Sequence, residues 1–164
     1  MNEFVNIPKD LLQLLVAQLK GSDIINLCES SPRLNKTCLQ LSDKFWAYKY
    51  LKDYKPSYPY IKKPLYLTWG KFYYAYTKGT IKTIALYGYN NFLELIWIYH
   101  NMTYNNLISE IRSVIKAWNT ITINRENHPP IIMKFFRIGL EITPDDIHLN
   151  DKIDYDNIYE IKVS

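Results

Sequence analysis

The chain has 164 residues, 48% of them hydrophobic and 22% charged, enough to bury a core as one domain or two small ones. A net charge of +4 does not demand a nucleic-acid partner. No apolar run approaches the ~18 residues of a membrane span, and Lys9 with Asp10 interrupt the first apolar stretch before it reads as a signal peptide.

The expectation is therefore an intracellular protein. Fifteen Tyr against 5 Gly, with heavy use of Asn, Ile and Lys, point to an A/T-rich coding sequence. That bias lowers the information carried by any one Tyr, Asn or Lys. Charge is uneven: residues 1–82 hold 13 Lys and Arg against 6 Asp and Glu, whereas residues 83–164 hold 7 against 10. A sign change at mid-chain predicts two units with different surfaces. Cys28 and Cys38, ten residues apart in predicted helices, read as two buried thiols. His100, His128 and His148 are scattered and have no zinc spacing, so no metal or cofactor is expected.

Pro8 suits the first turn of a helix, where its missing N–H costs nothing. Leu11, Leu12, Leu15, Val16 and Leu19 follow at helical spacing, and Gly21 ends the run. Ser22 is placed to cap a second helix carrying Ile24, Ile25, Leu27 and Cys28. Ser31-Pro32 opens a third, with Leu34, Cys38, Leu39 and Leu41, and Ser42 a fourth, "DKFWAYKYLKDY". Pro56, Pro59 and Pro64 forbid a regular helix in the next stretch, which reads as an extended connection. Thr68 then caps "WGKFYYAYTK", closed by Gly79.

The period changes after residue 80. "TIKTIALYG" and "FLELIWIYH" are β-rich runs around the turn "YNN". A helix over 103–119 follows, capped by Thr103, with Leu107, Ile108, Ile111, Val114, Ile115 and Trp118 as its apolar stripe. "TITINRENHPP" reads as a loop, "IIMKFFRIG" (131–139) as a strand ended by Gly139, "LEIT" as a short strand, and "IYEIKVS" as the last strand. The expected class is α+β, a helical module followed by a small α+β module.

Catalysis finds little support in either module. There is no glycine-rich phosphate loop and no Gly-x-Ser-x-Gly elbow. Cys28 and Cys38 lie on apolar helix faces with no His nearby in sequence. Nothing singles out His100 with Glu110 or Asp145 as a pair. The basic, aromatic stretch 52–66 reads as a connection rather than a stacking platform. The acidic stretch 144–156 lacks the Gly and the ligand offsets of a calcium loop, and reads as solvated.

Two resemblances overlie these readings. Ile7-Pro8, Leu11-Leu12, Leu15 and Leu19, then Asp23-Ile24 and Leu27-Cys28, then Pro32-Arg33-Leu34-Asn35 and "LSDKFWAYKY" together resemble an F-box over residues 4 to about 52. Ile7 stands where that family commonly has Leu. "LTWGKFYYAY" resembles the tryptophan-led helix that often follows such a module. The order of elements over 80–164 is similar to the β-grasp fold of ubiquitin-like domains, with "PPIIMKFFRIGLEI" resembling the stretch after the ubiquitin helix. The expected architecture is an F-box-like helical module at 1–53, a Pro-rich connection with a short helix at 54–79, and a ubiquitin-like β-grasp domain at 80–164. Composition and a lone short F-box resemble proteins of large DNA viruses of amoebae or insects.

The F-box likeness implies a non-enzymatic adaptor. It would dock a Skp-type subunit of a cullin ubiquitin ligase and recruit an unidentified target through the C-terminal domain, in the cytoplasm (the host's, if viral) or nucleus. Ile7, Pro8, Leu11, Leu12, Leu15, Ile24 and Leu27 are then expected to reach the Skp-type adaptor, each buried aliphatic side chain contributing ~1.5–3 kcal/mol. Val16 and Leu19 are expected inside. In the β-grasp likeness Phe135 faces the core, while Lys134 and Phe136 share the open face of the sheet with Glu160 and Lys162. Two alternatives stand beside this reading. One is a single-domain structural or virion protein whose leucines are internal; the other is a small nucleic-acid binder using the basic N-terminal half.

Overall fold

In the computed structural model, residues 7–57, 62–89 and 91–164 are described; Pro59 of the proline-rich connection lies outside them. They fall into two compact units. The helical unit includes Leu67–Thr80, and the C-terminal unit is Pro64–Tyr66 with Ile81–Ser164. The short helix expected in a connection therefore belongs to the helical unit.

That unit contains α1 (Lys9–Gln18), α2 (Ser22–Cys28), α3 (Pro32–Leu39), α4 (Asp43–Tyr54) and α5 (Trp69–Lys78). Ser31, Ser42 and Thr68 cap α3, α4 and α5, their hydroxyls accepting from the amides of Leu34, Phe45 and Lys71. Ser22 is not a cap. Gly21 precedes α2 at φ 59°, a conformation glycine adopts without steric cost, and Ser22 is the first helical residue. Aromatic rings join α4 to α5: Trp46 lies 5.3 Å from Tyr73 and 5.8 Å from Tyr74, and Tyr50 lies 4.8 Å from Phe72. This packing draws α5 into the unit. Gly70 permits the close approach, since a Cβ there would stand 3.0 Å from Trp46 Cδ1.

Cys28 and Cys38 form a disulfide between α2 and α3, both sulfurs fully buried. The expectation of two thiols is corrected. Hydrophobicity foresaw the burial, but packing α2 on α3 brings the two Cα atoms to 6.0 Å, within bonding range.

The C-terminal unit is one six-stranded sheet with a helix on one face. Its elements are β1 (Ile81–Gly88), β2 (Asn91–Tyr99), α6 (Tyr104–Val114), β3 (Thr120–Arg125), β4 (Ile131–Phe136), β5 (Gly139–Thr143) and β6 (Ile158–Val163). The strand order is β2-β1-β6-β3-β4-β5. β1 and β6 pair in parallel, and every other neighbouring pair is antiparallel. Leu107, Ile108 and Ile111 of α6 are buried with Leu86, Ile121, Ile123, Met133, Ile161 and Val163 of the sheet.

Three sequence expectations change here. "TITINR" is strand β3, not loop: Ile121 and Ile123 point into the core between β6 and β4. The strand expected to run to Gly139 stops at Phe136, and Gly139 opens β5 after a two-residue turn. α6 ends at Val114, short of Asn119; Trp118 instead rests edge-on against Phe135, 5.0 Å away.

Candidate functional site

α1 carries apolar residues on two faces. Leu12 and Val16, four apart, are fully buried, with α1 packed on α3. Leu11, Leu14 and Leu15 recur at the i, i+3, i+4 spacing of a second stripe and are 54%, 59% and 37% exposed. Pro8 is exposed at the start of this ridge and Ile7 half-buried. Of the residues expected to reach an adaptor, Ile7, Pro8, Leu11, Leu15 and Leu27 keep accessible surface. Leu12 and Ile24 do not, both being 0% exposed within the unit's own core; this corrects that assignment. Leu14 was missed. Its signal was present in the spacing of Leu11, Leu14 and Leu15, which the inward stripe overshadowed.

A buried polar network holds the end of α1. Lys49 of α4 is 2% exposed, and its ammonium donates to the carbonyls of Ala17 and Leu19 and to Asp53 Oδ1 at 3.1 Å. Asp53 Oδ2 accepts from the Tyr73 hydroxyl at 2.6 Å, and that hydroxyl oxygen accepts from the Gly21 amide at 2.8 Å. Last-turn carbonyls of a helix lack intrahelical partners. Here a cation from another helix supplies them, with the favourable sign for a helix C-terminus. Burial, reinforced by the bond to Asp53, pushes the Tyr73 phenol well above its usual range. Burial does the same to Tyr50 and Tyr74.

On the C-terminal sheet, register settles which residues share a face. Tyr87 pairs with Lys162, Lys162 with Thr122, Thr120 with Lys134, and Ala85 with Glu160. Strand alternation then puts Lys134, Phe136, Glu160 and Lys162 on one face, opposite the buried isoleucines. Phe136 is 56% exposed. Phe135 points the other way, where the Arg112 guanidinium lies 5.8 Å from its ring. Lys162 stands 3.6 Å from Glu160, which also accepts from Asn124. Tyr87, Tyr89, Thr122, Lys162, Val163 and Ser164 line a shallow depression of about 200 Å³.

His100 bonds to Asn101 and packs on Tyr155, whereas the Glu110 carboxylate accepts from the Leu65 amide. Among the described residues no cluster of three His, Cys, Asp or Glu is placed to hold a metal ion, and no helix is long and apolar enough to cross a membrane.

No protein-family model, curated protein or solved structure matches the chain.

Proposed function

We propose that the chain is an F-box-type adaptor. Its helical unit docks a Skp-type subunit of a cullin ubiquitin ligase through α1, and its C-terminal unit recruits a target. The observation that carries this reading is the ridge of Leu11, Leu14 and Leu15, which stays in water while the neighbouring Leu12 and Val16 are buried. Three leucines clustered on one face of a ten-residue helix form an apolar surface of the kind that marks an interaction site. A partner that covers them only in the folded state stabilises the helical unit by mass action. The F-box resemblance around this helix names that partner.

The C-terminal unit is read as β-grasp. Support comes from the parallel pairing of the first and last strands and from the helix inserted between β2 and β3. Lys134 and Phe136, exposed together on its open face, are the target-facing residues in this reading. The protein supplies proximity: tethering raises the target's effective concentration near the subunits that perform the transfer. The compositional likeness to large DNA viruses makes a host ligase the machinery engaged.

The test is a pull-down of the purified chain with a Skp-type adaptor. Wild type is retained, and a Leu11→Asp, Leu14→Asp, Leu15→Asp variant with unchanged helix content is lost. If both bind equally, or neither binds, the reading fails.

A further inference from the structure

The C-terminal unit carries opposite chemistry at its two ends. At one end the β4–β5 hairpin turns through Arg137 and Ile138, with Ile138 98% exposed and Phe136 beside it. Tight hairpin turns favour Asn, Asp and Gly; an isoleucine wholly in water is not demanded by the turn. Cations surround this tip. Lys134 shares the face of Phe136, Arg137 sits in the turn, and Arg112 lies 5.5 Å from the Trp118 ring and 5.8 Å from Phe135. Glu141, opposite Lys134 in register, is the one acid of the hairpin.

At the other end, residues 144–156 carry Asp145, Asp146, Asp151, Asp154 and Asp156 against Lys152 alone. Asp154 is drawn towards Arg125 at 3.8 Å, and Asp151 accepts from the His148 amide. Asp145, Asp146 and Asp156 are exposed, with Ile147 and Leu149 half-buried between them. The amides of Tyr104 and Asn105 at the start of α6 donate to the carbonyls of Asp151 and Leu149. The rings by Arg112 lie at the far end of the same helix. α6 has 11 residues and so separates the two ends by about 16 Å. β5 likewise runs from the tip towards the acidic segment. A single copy cannot bring its own tip onto its own acidic segment.

We infer that the hairpin tip docks on the acidic 144–156 segment of a second copy of this chain. Ile138 and Phe136 supply the apolar anchor, and Arg137 and Lys134 face the aspartates. This goes beyond the adaptor reading and uses neither α1 nor the ligase. Each copy uses its tip on one neighbour and its acidic segment on another, so the contact repeats head to tail. It is small, hence transient, and its exposed charges are screened over about 10 Å at 0.1 M salt.

Sedimentation velocity of the full chain tests it. At low salt the weight-average sedimentation coefficient of wild type rises with concentration; at high salt it falls to the monomer value. Arg137→Glu, Ile138→Asp at the tip and Asp145→Lys, Asp146→Lys in the acidic segment each weaken association about tenfold or more. These substitutions are at solvent-exposed positions, and circular dichroism checks that each variant is folded. Mixing the two variants restores one working contact and gives dimers without longer species. The inference is overturned by a wild type that stays monomeric at low salt, by either variant associating as wild type does, or by a mixture that remains monomeric. It is also overturned if Leu11→Asp, Leu14→Asp abolishes association while the tip variant retains it.

Discussion

Replacing Asp53 by Ala strands the Lys49 ammonium. Lys49 is 2% exposed and its pair with Asp53 spans 3.1 Å, so water cannot take over the lost charge. The Ala17 and Leu19 carbonyls remain as neutral acceptors, and the Tyr73 hydroxyl loses its acceptor. Removing one partner of a buried ion pair costs about 3–5 kcal/mol. Lys49→Met costs a similar amount, because it leaves the carboxylate with Tyr73 and orphans two carbonyls. The double variant Lys49→Met, Asp53→Leu no longer buries an unpaired charge. Its cost should fall short of the sum of the singles by about 2–3 kcal/mol, the coupling of the pair. Urea unfolding read by hydrogen exchange at the α4 and α5 amides reports the helical unit alone. Additive costs, or an Asp53→Ala penalty under about 1 kcal/mol, would show that the pair is not a desolvated one.

Alkaline pH should unfold the helical unit. Tyr50, Tyr73 and Tyr74 have phenols raised above 10 by burial, so the folded state holds their protons more tightly than the unfolded state does. Their contribution is intact below pH ~10 and declines above it by up to ~1.4 kcal/mol per pH unit for each group; tyrosinate absorbance should rise together with helix loss, and a gradual rise in a still-helical protein would contradict this. Reducing the Cys28–Cys38 bond, which closes a loop of separation 10, should lower the helical unit's stability by about 3 kcal/mol. A urea midpoint unchanged by reductant would refute that. On α1, Leu12→Ala should cost about 2–5 kcal/mol, whereas Leu14→Ala should stay within ~0.5 kcal/mol. Equal thermal shifts for the two would mean that the ridge is not free.

Much of the local structure was legible in the residues. α4 and α5 match the segments read from their caps and apolar spacing, since Ser42, Thr68 and Gly79 act through bonds within a few residues of themselves. The hairpin β1–β2 follows from two β-rich runs on either side of a local turn, and the alternation of Phe135 and Phe136 from period-2 patterning. What depended on distant neighbours was not legible. "TITINR" offers only two isoleucines and becomes a strand because β6 and β4 flank it. α5 reads as part of a connection from its own residues and joins the helical unit only through the rings of Trp46 and Tyr50.

The candidate site divides the same way. Sequence determined that α1 is a leucine-rich amphipathic helix, because a 3.6-residue period is written in the spacing. It did not decide which leucines face inward, since Leu11, Leu12, Leu14 and Leu15 are chemically alike. Packing on α3 chose Leu12 and Val16, leaving Leu11, Leu14 and Leu15 in water. The thiols of Cys28 and Cys38 could likewise be read as buried, but only the approach of α2 to α3 made them a bond. Burial tendency belongs to a residue; its partner is set by the chain folding back on itself.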